Sequence, residues 1–197
     1  MPINYPNAWD TVQRRTGYGI WLHGTPPDTY SRAPKASAGC VVLTNEDMAE
    51  LSEMVDIGNT PVIISEREEF VSVQEQAQQR EKVLALLDQW QRDARDHAPT
   101  KLEEHYSKKF KTANGLAVSE WLQRTRVRMD PNTPAEIADV QAFDYPSPDN
   151  EMVTISFTKT LGTDAGKTSS RVQQYWEFEG DQWRIVGVSD FLCVRRS

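Results

Sequence analysis

The sequence predicts an α+β protein in two parts: a short β-rich segment, then helices followed by a long antiparallel sheet. Up to about Ser65 the chain is rich in Pro and Gly and carries short apolar runs, whereas residues 66–97 contain neither Pro nor Gly. Toward the C terminus, the spacing of apolar residues changes from helical to alternating. Helices followed by alternating strands are typical of a sheet that packs against helices.

Length and charge limit the domain organisation and the kinds of partner that the chain can have. A chain of 197 residues can form one large domain or two smaller ones. The changes of pattern place a first domain at 1–65, a helical linker at 66–79 and a second domain at 80–197. A net charge of -7 argues against a nucleic-acid partner, which needs a basic face. No apolar run is long enough for a membrane span, and "MPINYPNAWD" lacks the features of an export signal.

Three apolar runs in the first domain predict buried strands: "GYGIWL", "CVVL" and "TPVIIS". Between the last two, "TNEDMAELSEMV" predicts a short helix that Thr44 or Asn45 can cap and that Gly58 ends. Three apolar side chains share one face of this helix: Met48, Leu51 and Val55.

The second domain opens with a long helix whose C-terminal half is amphipathic. Its apolar residues recur at helical spacing: Val83, Leu86, Leu87, Trp90 and Ala94. Two shorter helices are predicted at "KLEEHYSKKF" and "AVSEWLQRTRVRM", and strands at "MVTISFTKT", "RVQQYWEFE" and "QWRIVGVSDF". Gly180-Asp181 predicts a hairpin between the last two strands. The stretch "GTDAGKTSS" lacks the first glycine of a phosphate loop and predicts a hairpin loop.

His23 and Cys40 are the first candidates for catalysis. A cysteine nucleophile works as the thiolate, which a nearby histidine and backbone amides can generate and support. Gly39 permits a tight turn that exposes such amides. A free cysteine beside valines is also typical of a small core residue, so spacing alone leaves both interpretations open. The second cysteine, Cys193, is too far away in sequence to suggest a disulfide framework.

The segments "HGTP", "YSRAPKASAGCVVLTNED" and "GNTPVIIS", in that order, resemble the C-terminal part of a YkuD-type L,D-transpeptidase catalytic domain. The resemblance covers about Asn4 to Ser65 and is to the bacterial murein transpeptidase branch, in which "NYPN" precedes the motif. It implies part of a β-rich catalytic domain that acts on peptidoglycan stem peptides in the periplasm or cell envelope. It implies neither cofactor nor metal. Ala38 and Val42 depart from the family, which commonly has His or Asp at the first position and a polar residue at the second.

The resemblance assigns roles to residues of this chain. Cys40 would attack the diaminopimelate carbonyl next to the terminal D-alanine, and His23 would act as base and then as acid. Amides around Gly39 and Cys40 would hold the oxyanion, and Ser37 would brace the loop. Candidates for substrate binding are Gly24, Tyr30, Ser31 and Arg32. An amine acceptor would make the enzyme a transpeptidase, whereas water would make it a murein peptide hydrolase.

Two further expectations concern the completeness of this unit. His23 stands earlier than in a complete domain of the family, so the chain is expected to begin inside the domain and to have impaired activity. The competing hypothesis is a non-enzymatic binding or dimerisation module that retains an inert catalytic remnant.

The second domain resembles the cone-shaped nuclear transport factor two-like fold, over about Gln79 to Phe191, on its order of helices and strands and on "YWEFEGDQWRIVGVSDF". Such a domain follows the catalytic unit in this transpeptidase branch. It implies a pocket at the open end of the cone and a homodimer through the C-terminal sheet. Four residues are candidates for the lining of this pocket, and packing in the core is the alternative explanation for them: Tyr106, Asp144, Tyr175 and Trp176. His97 and His105 have no second pair of ligands at metal spacing, so a solvated helix end is predicted there rather than zinc.

Overall fold

The computed structural model describes residues 1–65, 70–95, 99–112, 114–126, 135–147, 149–163 and 166–192. His97 and Cys193 lie outside these ranges. The chain divides into two compact units, Met1–Ile64 and Ser65–Ser197. Within the described ranges, no helix has the length and apolar character to cross a bilayer.

The first unit contains helix α1 (Ala8–Val12), strands β1 (Leu22–His23) and β2 (Val41–Val42), and helix α2 (Asn45–Met54). β1 pairs with β2 in parallel. Residues 1–3 run antiparallel along the other side of β1, where the Ile3 amide donates to the Ile20 carbonyl at 2.9 Å. β1 therefore has a hydrogen-bonded neighbour on each side.

Side chains cap the two helices of this unit. The Asn7 side chain accepts from the Asp10 amide, and the Asp10 carboxylate accepts from the Asn7 amide, which starts α1, a helix that the sequence analysis missed. Thr44 caps α2 as predicted, through a bond from the Asp47 amide. α2 ends at Met54, earlier than the predicted stop at Gly58.

The strand prediction for the first unit was largely wrong. Only two residues of each of the runs "GYGIWL" and "CVVL" are in strands, and "TPVIIS" is not a strand. That last run is exposed, and Ile64 retains 63% of its accessible surface. An apolar run becomes a buried strand when a neighbour takes up its backbone groups, and residues 60–65 pair with no strand of the described chain.

The second unit begins with helices α3 (Val73–Arg95), α4 (Pro99–Glu104) and α5 (Val118–Arg126). From Val73 onward, the predicted linker is helical and continues without a break into the amphipathic C-terminal half of α3. The domain boundary at residue 80 stays a prediction. α4 is shorter than predicted because Tyr106 already lies in a parallel bridge with Ile185.

Four antiparallel strands follow in the order β3-β4-β5-β6. They are β3 (Glu136–Asp144), β4 (Met152–Thr163), β5 (Gly166–Glu179) and β6 (Gln182–Leu192). The strand β3 was not predicted. The hairpin predicted in "GTDAGKTSS" joins β4 to β5, and the one at Gly180 joins β5 to β6, with Gly180 at φ +68°.

One face of the sheet carries the core of the second unit. β4 contributes Val153, Ile155 and Phe157, which alternate as predicted, and α3 contributes Val83 and Leu87. Full burial of such a side chain is worth about 1.5–3 kcal/mol. This packing of helices on an antiparallel sheet confirms the predicted α+β class.

Candidate functional site

The first unit places His23 and Cys40 on neighbouring strands. His23 lies opposite Val42 in the parallel β1–β2 pair, and Cys40 stands immediately before β2. Successive side chains of a strand alternate between faces, so Cys40, Val42 and His23 share one face. The two predicted catalytic side chains are therefore diagonal neighbours.

A hydrogen bond defines the tautomer of His23. Its Nδ1 lies 2.7 Å from the Gly24 carbonyl oxygen. A carbonyl oxygen can only accept, so Nδ1 carries the hydrogen, and Nε2 of the neutral ring keeps a free electron pair. In this tautomer, Nε2 is the ring nitrogen that can accept a proton.

Cys40 is half-buried, and its thiol is free rather than part of a disulfide. Its thiol donates to the Gly19 carbonyl oxygen at 3.5 Å, and no hydrogen bond between described residues joins it to His23. A thiol has one hydrogen, so the bond to Gly19 has to break before the proton can pass to His23.

Two contacts shape the loop before the thiol. The Ser37 hydroxyl donates to the Cys40 carbonyl oxygen at 2.7 Å. Gly39 has φ +113°, and a Cβ built there would lie 2.7 Å from Cδ1 of Ile20. Glycine adopts this φ without strain, whereas an alanine would be strained there and would push the end of the Ile20 side chain aside.

The sequence analysis did not find Asn45 and Thr25. Asn45 Oδ1 accepts from the Thr25 amide at 3.0 Å, two residues after His23. A Cβ at Gly24 would lie only 2.1 Å from the same Oδ1. The structure therefore gives Gly24, a candidate for substrate binding, a packing role beside Asn45. The one signal in the sequence is Asn45 itself, which together with Thr44 is a candidate for the cap of α2.

The remaining substrate-binding candidates lie on an exposed loop. The hydroxyl of the buried Thr25 closes this loop by donating to the Thr29 carbonyl, with a longer contact to the Tyr30 carbonyl. Tyr30, Ser31 and Arg32 are all exposed. No hydrogen bond within the described ranges brings them to His23 or Cys40.

The four pocket candidates of the second unit do not converge. Tyr175 and Trp176 are adjacent on β5 and so point to opposite faces of the sheet. Trp176 belongs to the core and donates to Gln174 Oε1 at 3.1 Å, whereas Tyr175 packs edge-on against Tyr145. Asp144 is exposed at the end of β3.

Tyr106 is buried between the helices and β6. Its hydroxyl accepts from Nε1 of Trp90 at 3.3 Å, and its ring packs edge-on against Phe110. Burial raises the pKa of Tyr106 to about 12, so its hydroxyl stays protonated at neutral pH. Tyr106 therefore behaves as a core residue.

His105 corrects the prediction of a solvated helix end. Its Nε2 lies 2.7 Å from Asp93 Oδ2, and the two side chains are only 16% and 10% exposed. Hydrogen bonds from Gln89 and His105 hold the pKa of Asp93 below its usual range. Among the described residues, no group of three potential ligands is arranged to hold a metal ion.

A second charge pair, also not predicted, lies on the helix-covered face of the sheet. Lys159 of β4 reaches across β5 to Asp190 of β6, with 2.9 Å between Nζ and Oδ2. Both side chains are largely buried, so removal of one partner would leave the other charge uncompensated.

These observations define a two-domain protein in which a cysteine–histidine unit precedes a domain of helices packed on an antiparallel sheet. The chain belongs to the family of the Cds6 C-terminal NTF2-like domain, whose model matches residues 82–188. Residues 1–64 match the model of the YkuD L,D-transpeptidase catalytic domain. Both predicted resemblances are confirmed.

Two solved structures share the fold across both domains. Bd1075 of Bdellovibrio bacteriovorus is 22% identical, with a TM-score of 0.76 over 99% of this chain and 69% of that one. The helical cell shape determining protein Pgp2 of Campylobacter jejuni is also 22% identical, with a TM-score of 0.74 over 95% of this chain and 66% of that one. The chain thus spans about two thirds of each. A search of curated proteins finds no significant match.

Proposed function

We propose that the Met1–Ile64 unit carries the acyl-transfer site of an L,D-transpeptidase that acts on peptidoglycan stem peptides. The observation that carries the proposal is the orientation of His23, whose Nδ1 bond to Gly24 leaves Nε2 free on the face that Cys40 shares. The YkuD match supports peptidoglycan as the substrate class and the cell envelope as the location. Pgp2, a helical cell shape determining protein, connects a protein of this fold with cell shape.

In the proposed reaction, the Cys40 thiol passes its proton to Nε2 of His23 and the sulfur attacks the diaminopimelate carbonyl. Backbone amides of Gly39 and Cys40 hold the resulting oxyanion. When the tetrahedral intermediate collapses, the bond between this carbonyl carbon and the D-alanine nitrogen breaks, and the leaving amine takes the proton from His23. The products are free D-alanine and a thioester on Cys40.

The second half-reaction decides between transferase and hydrolase. An acceptor amine that attacks the thioester forms a new amide, whereas water gives a free carboxylate; both regenerate the thiol. We propose transfer as the function because the matched family model describes an L,D-transpeptidase.

The experiment is intact mass spectrometry of the chain after incubation with a tetrapeptide muropeptide. We expect an adduct equal to the acyl group and an equal amount of released D-alanine. Cys40→Ala should form no adduct, and Cys193→Ala, which removes the other cysteine, should react normally. An added amine acceptor should then yield the cross-linked product rather than the hydrolysed one.

The competing candidate is a binding module with an inert catalytic remnant. The bond of the thiol to Gly19, rather than to His23, favours it. A folded chain that forms no adduct and releases no D-alanine would contradict the transpeptidase proposal and favour this alternative.

We retain as a proposal that two chains associate through the C-terminal sheet. Its test is the molar mass in solution by light scattering coupled to size-exclusion chromatography, with a monomeric mass across the accessible concentrations as the contrary result.

A further inference from the structure

The face of the first unit that carries the reactive pair also carries two apolar side chains. The register of β1 and β2 places His23 opposite Val42. Two residues earlier on each strand, the same register places Trp21 opposite Cys40. Side chains two residues apart on a strand share a face, so all four lie on one side of the pair. Cys40 and His23 form one diagonal of this array, and Trp21 and Val42 form the other.

Trp21 is the large member of the apolar diagonal. Its side chain belongs to the exposed large hydrophobic residues, with 50% of the residue accessible to solvent. Within the described ranges, no hydrogen bond or ring contact involves its indole. Its backbone is fixed on both sides, by a bond of 2.9 Å from the Val41 amide to its carbonyl and by a bridge to Pro2. The ring is thus a positioned apolar surface that is open to a ligand.

The proposed acyl-enzyme defines which part of a substrate meets this ring. In the thioester, the carbonyl carbon of the donor residue is bonded to Sγ of Cys40, and the Cβ atom of that residue is two bonds further on. Neighbouring strands lie about 4.7–4.9 Å apart, so the backbones of Trp21 and Cys40 are separated by about this distance. The side chain of the donor residue therefore begins within reach of the indole, whereas the sugar end of a stem peptide is several residues away.

We propose that Trp21 is a specificity-determining residue that binds the side chain of the residue that acylates Cys40, a linear aliphatic chain ending in an ammonium group. The proposal rests on the transpeptidase function proposed above and names the group that sets its donor preference. The methylenes pack against the indole and Val42, and the ammonium lies over the face of the ring, where tryptophan binds cations best among aromatic residues. Diaminopimelate has such a side chain.

The charge of the first unit agrees with a cationic ligand. Residues 1–64 contain seven Asp and Glu but only four Lys and Arg. The field of an acidic unit attracts a positively charged group and repels a negatively charged one. An aliphatic side chain without charge would gain only the apolar contact. The ammonium is therefore the group whose removal tests the assignment most directly.

The first test measures binding without chemistry. Cys40→Ala in the full chain is titrated by calorimetry with four tetrapeptides that differ only in the third residue: diaminopimelate, lysine, norleucine or alanine. Lysine and norleucine share a four-carbon chain and differ in the ammonium. We expect the lysine and diaminopimelate peptides to bind about two- to fivefold more tightly than norleucine, and alanine to bind most weakly. The indole N–H signal of Trp21 in NMR, identified by its loss in Trp21→Phe, should shift on binding.

Two variants separate the aromatic ring from its apolar bulk. Trp21→Leu keeps an apolar side chain without a ring, so the advantage of lysine over norleucine should fall below about twofold. Trp21→Phe keeps a weaker aromatic face and should retain part of the advantage. Trp183→Leu changes a half-buried tryptophan of the β5–β6 hairpin and is the matched control, with all four affinities expected to stay unchanged. Circular dichroism verifies that each variant is folded.

The same peptides then test acylation of the chain that retains Cys40, by intact mass spectrometry. We expect the donor preference to appear in KM rather than in kcat. Adducts that form equally well from all four donors would overturn this inference and leave the transpeptidase proposal intact. No adduct from any donor, together with the expected order of affinities and the shift of the ring signal, would overturn the transpeptidase proposal and leave the binding role of Trp21 intact.

Three binding results would also overturn the inference. Norleucine that binds as tightly as lysine would exclude recognition of the cation. An equal loss for all four peptides in Trp21→Leu would indicate a merely structural role. A Trp21 signal that stays in place while other signals shift would locate the ligand elsewhere on the chain.

Discussion

At the scale of single residues, Gly39 is the position where backbone conformation most directly controls the candidate nucleophile. Its φ of +113° strains any residue that has a side chain, and an added Cβ would lie 2.7 Å from Cδ1 of Ile20, so the end of the Ile20 side chain would have to shift. Gly58 has a comparable φ of +93° but open space around it. A comparison of alanine variants at Gly39 and Gly58 therefore distinguishes an effect specific to the loop next to Cys40 from the effect of backbone strain in general.

We expect Gly39→Ala to slow acyl-enzyme formation at least about tenfold, because strain and overlap of about 1–3 kcal/mol displace the Cys40 amide and thiol. Gly58→Ala carries similar strain outside the loop of the thiol and should react like the wild type. The rate of adduct formation by mass spectrometry checks this, with thermal unfolding of both variants as the folding control. Equal rates for the two variants would contradict the assigned role of Gly39.

We propose Asn45 as a positioning residue, because its side chain holds the Thr25 amide, two residues after His23. Asn45→Ala leaves a buried residue without its acceptor, which costs about 1 kcal/mol and loosens the segment after His23. Asn45→Asp keeps an acceptor oxygen at the same place. We therefore expect kcat for acylation to fall several-fold in Asn45→Ala and to be rescued in Asn45→Asp, with KM nearly unchanged. Equal impairment of both variants would assign Asn45 a merely structural role.

At the scale of elements, the sequence predicted those elements whose pattern is local. α2, α3, α5 and the strands β4 to β6 follow from caps, helical spacing and alternation. β3 was missed because its register shifts between Ala138 and Gln141, where Asp139 has φ +51°, so its apolar residues lose strict alternation. The strand predicted at "TPVIIS" does not form, because a strand depends on a neighbouring strand to pair with, and no local sequence pattern reveals that neighbour.

Residues of the candidate site also fall into two groups: those that a local sequence motif predicts and those that only the folded structure brings together. His23, Gly39 and Cys40 stand in a motif that can be read along the chain. Asn45 and Thr25 are twenty residues apart, and their bond becomes visible only in three dimensions. The pairing of Asp93 with His105 likewise joins α3 to the loop after α4.

Tyr106 makes the junction between α4 and β6 sensitive to alkaline pH. The folded state raises its pKa from 10.0 to about 12, so the folded state holds the proton more tightly than the unfolded chain. Its contribution to stability is therefore complete below pH 10 and is lost as the pH rises from about 10 to about 12. The full effect is about 3 kcal/mol.

Tyr106→Phe should remove this dependence. At pH 7 the variant should be less stable by about 1 kcal/mol, because Nε1 of Trp90 loses its acceptor. Above pH 10 the wild type should lose stability more steeply than the variant, so the difference should shrink. Denaturant unfolding at intervals between pH 7 and 11.5 measures both curves, and parallel curves above pH 10 would refute the assignment.

At the scale of the whole molecule, the two units differ in what stabilises them. Met1–Ile64 buries one large apolar side chain, Trp9 at 7% exposure, and exposes several others, including Tyr18, Ile57 and Ile64. The second unit contains a continuous apolar cluster from α3 through β6. Since domains of this size depend on a hydrophobic core, the second unit holds most of the folding free energy.

We therefore expect residues 70–197 expressed alone to unfold cooperatively, with a Tm within a few degrees of the main transition of the full chain. Residues 1–64 alone should show no cooperative transition and little dispersion of amide NMR shifts, because one buried tryptophan cannot offset the conformational entropy of the chain. Calorimetry and NMR of the two fragments test this. A cooperative transition in residues 1–64 would show that backbone pairing and caps stabilise the unit without an apolar core.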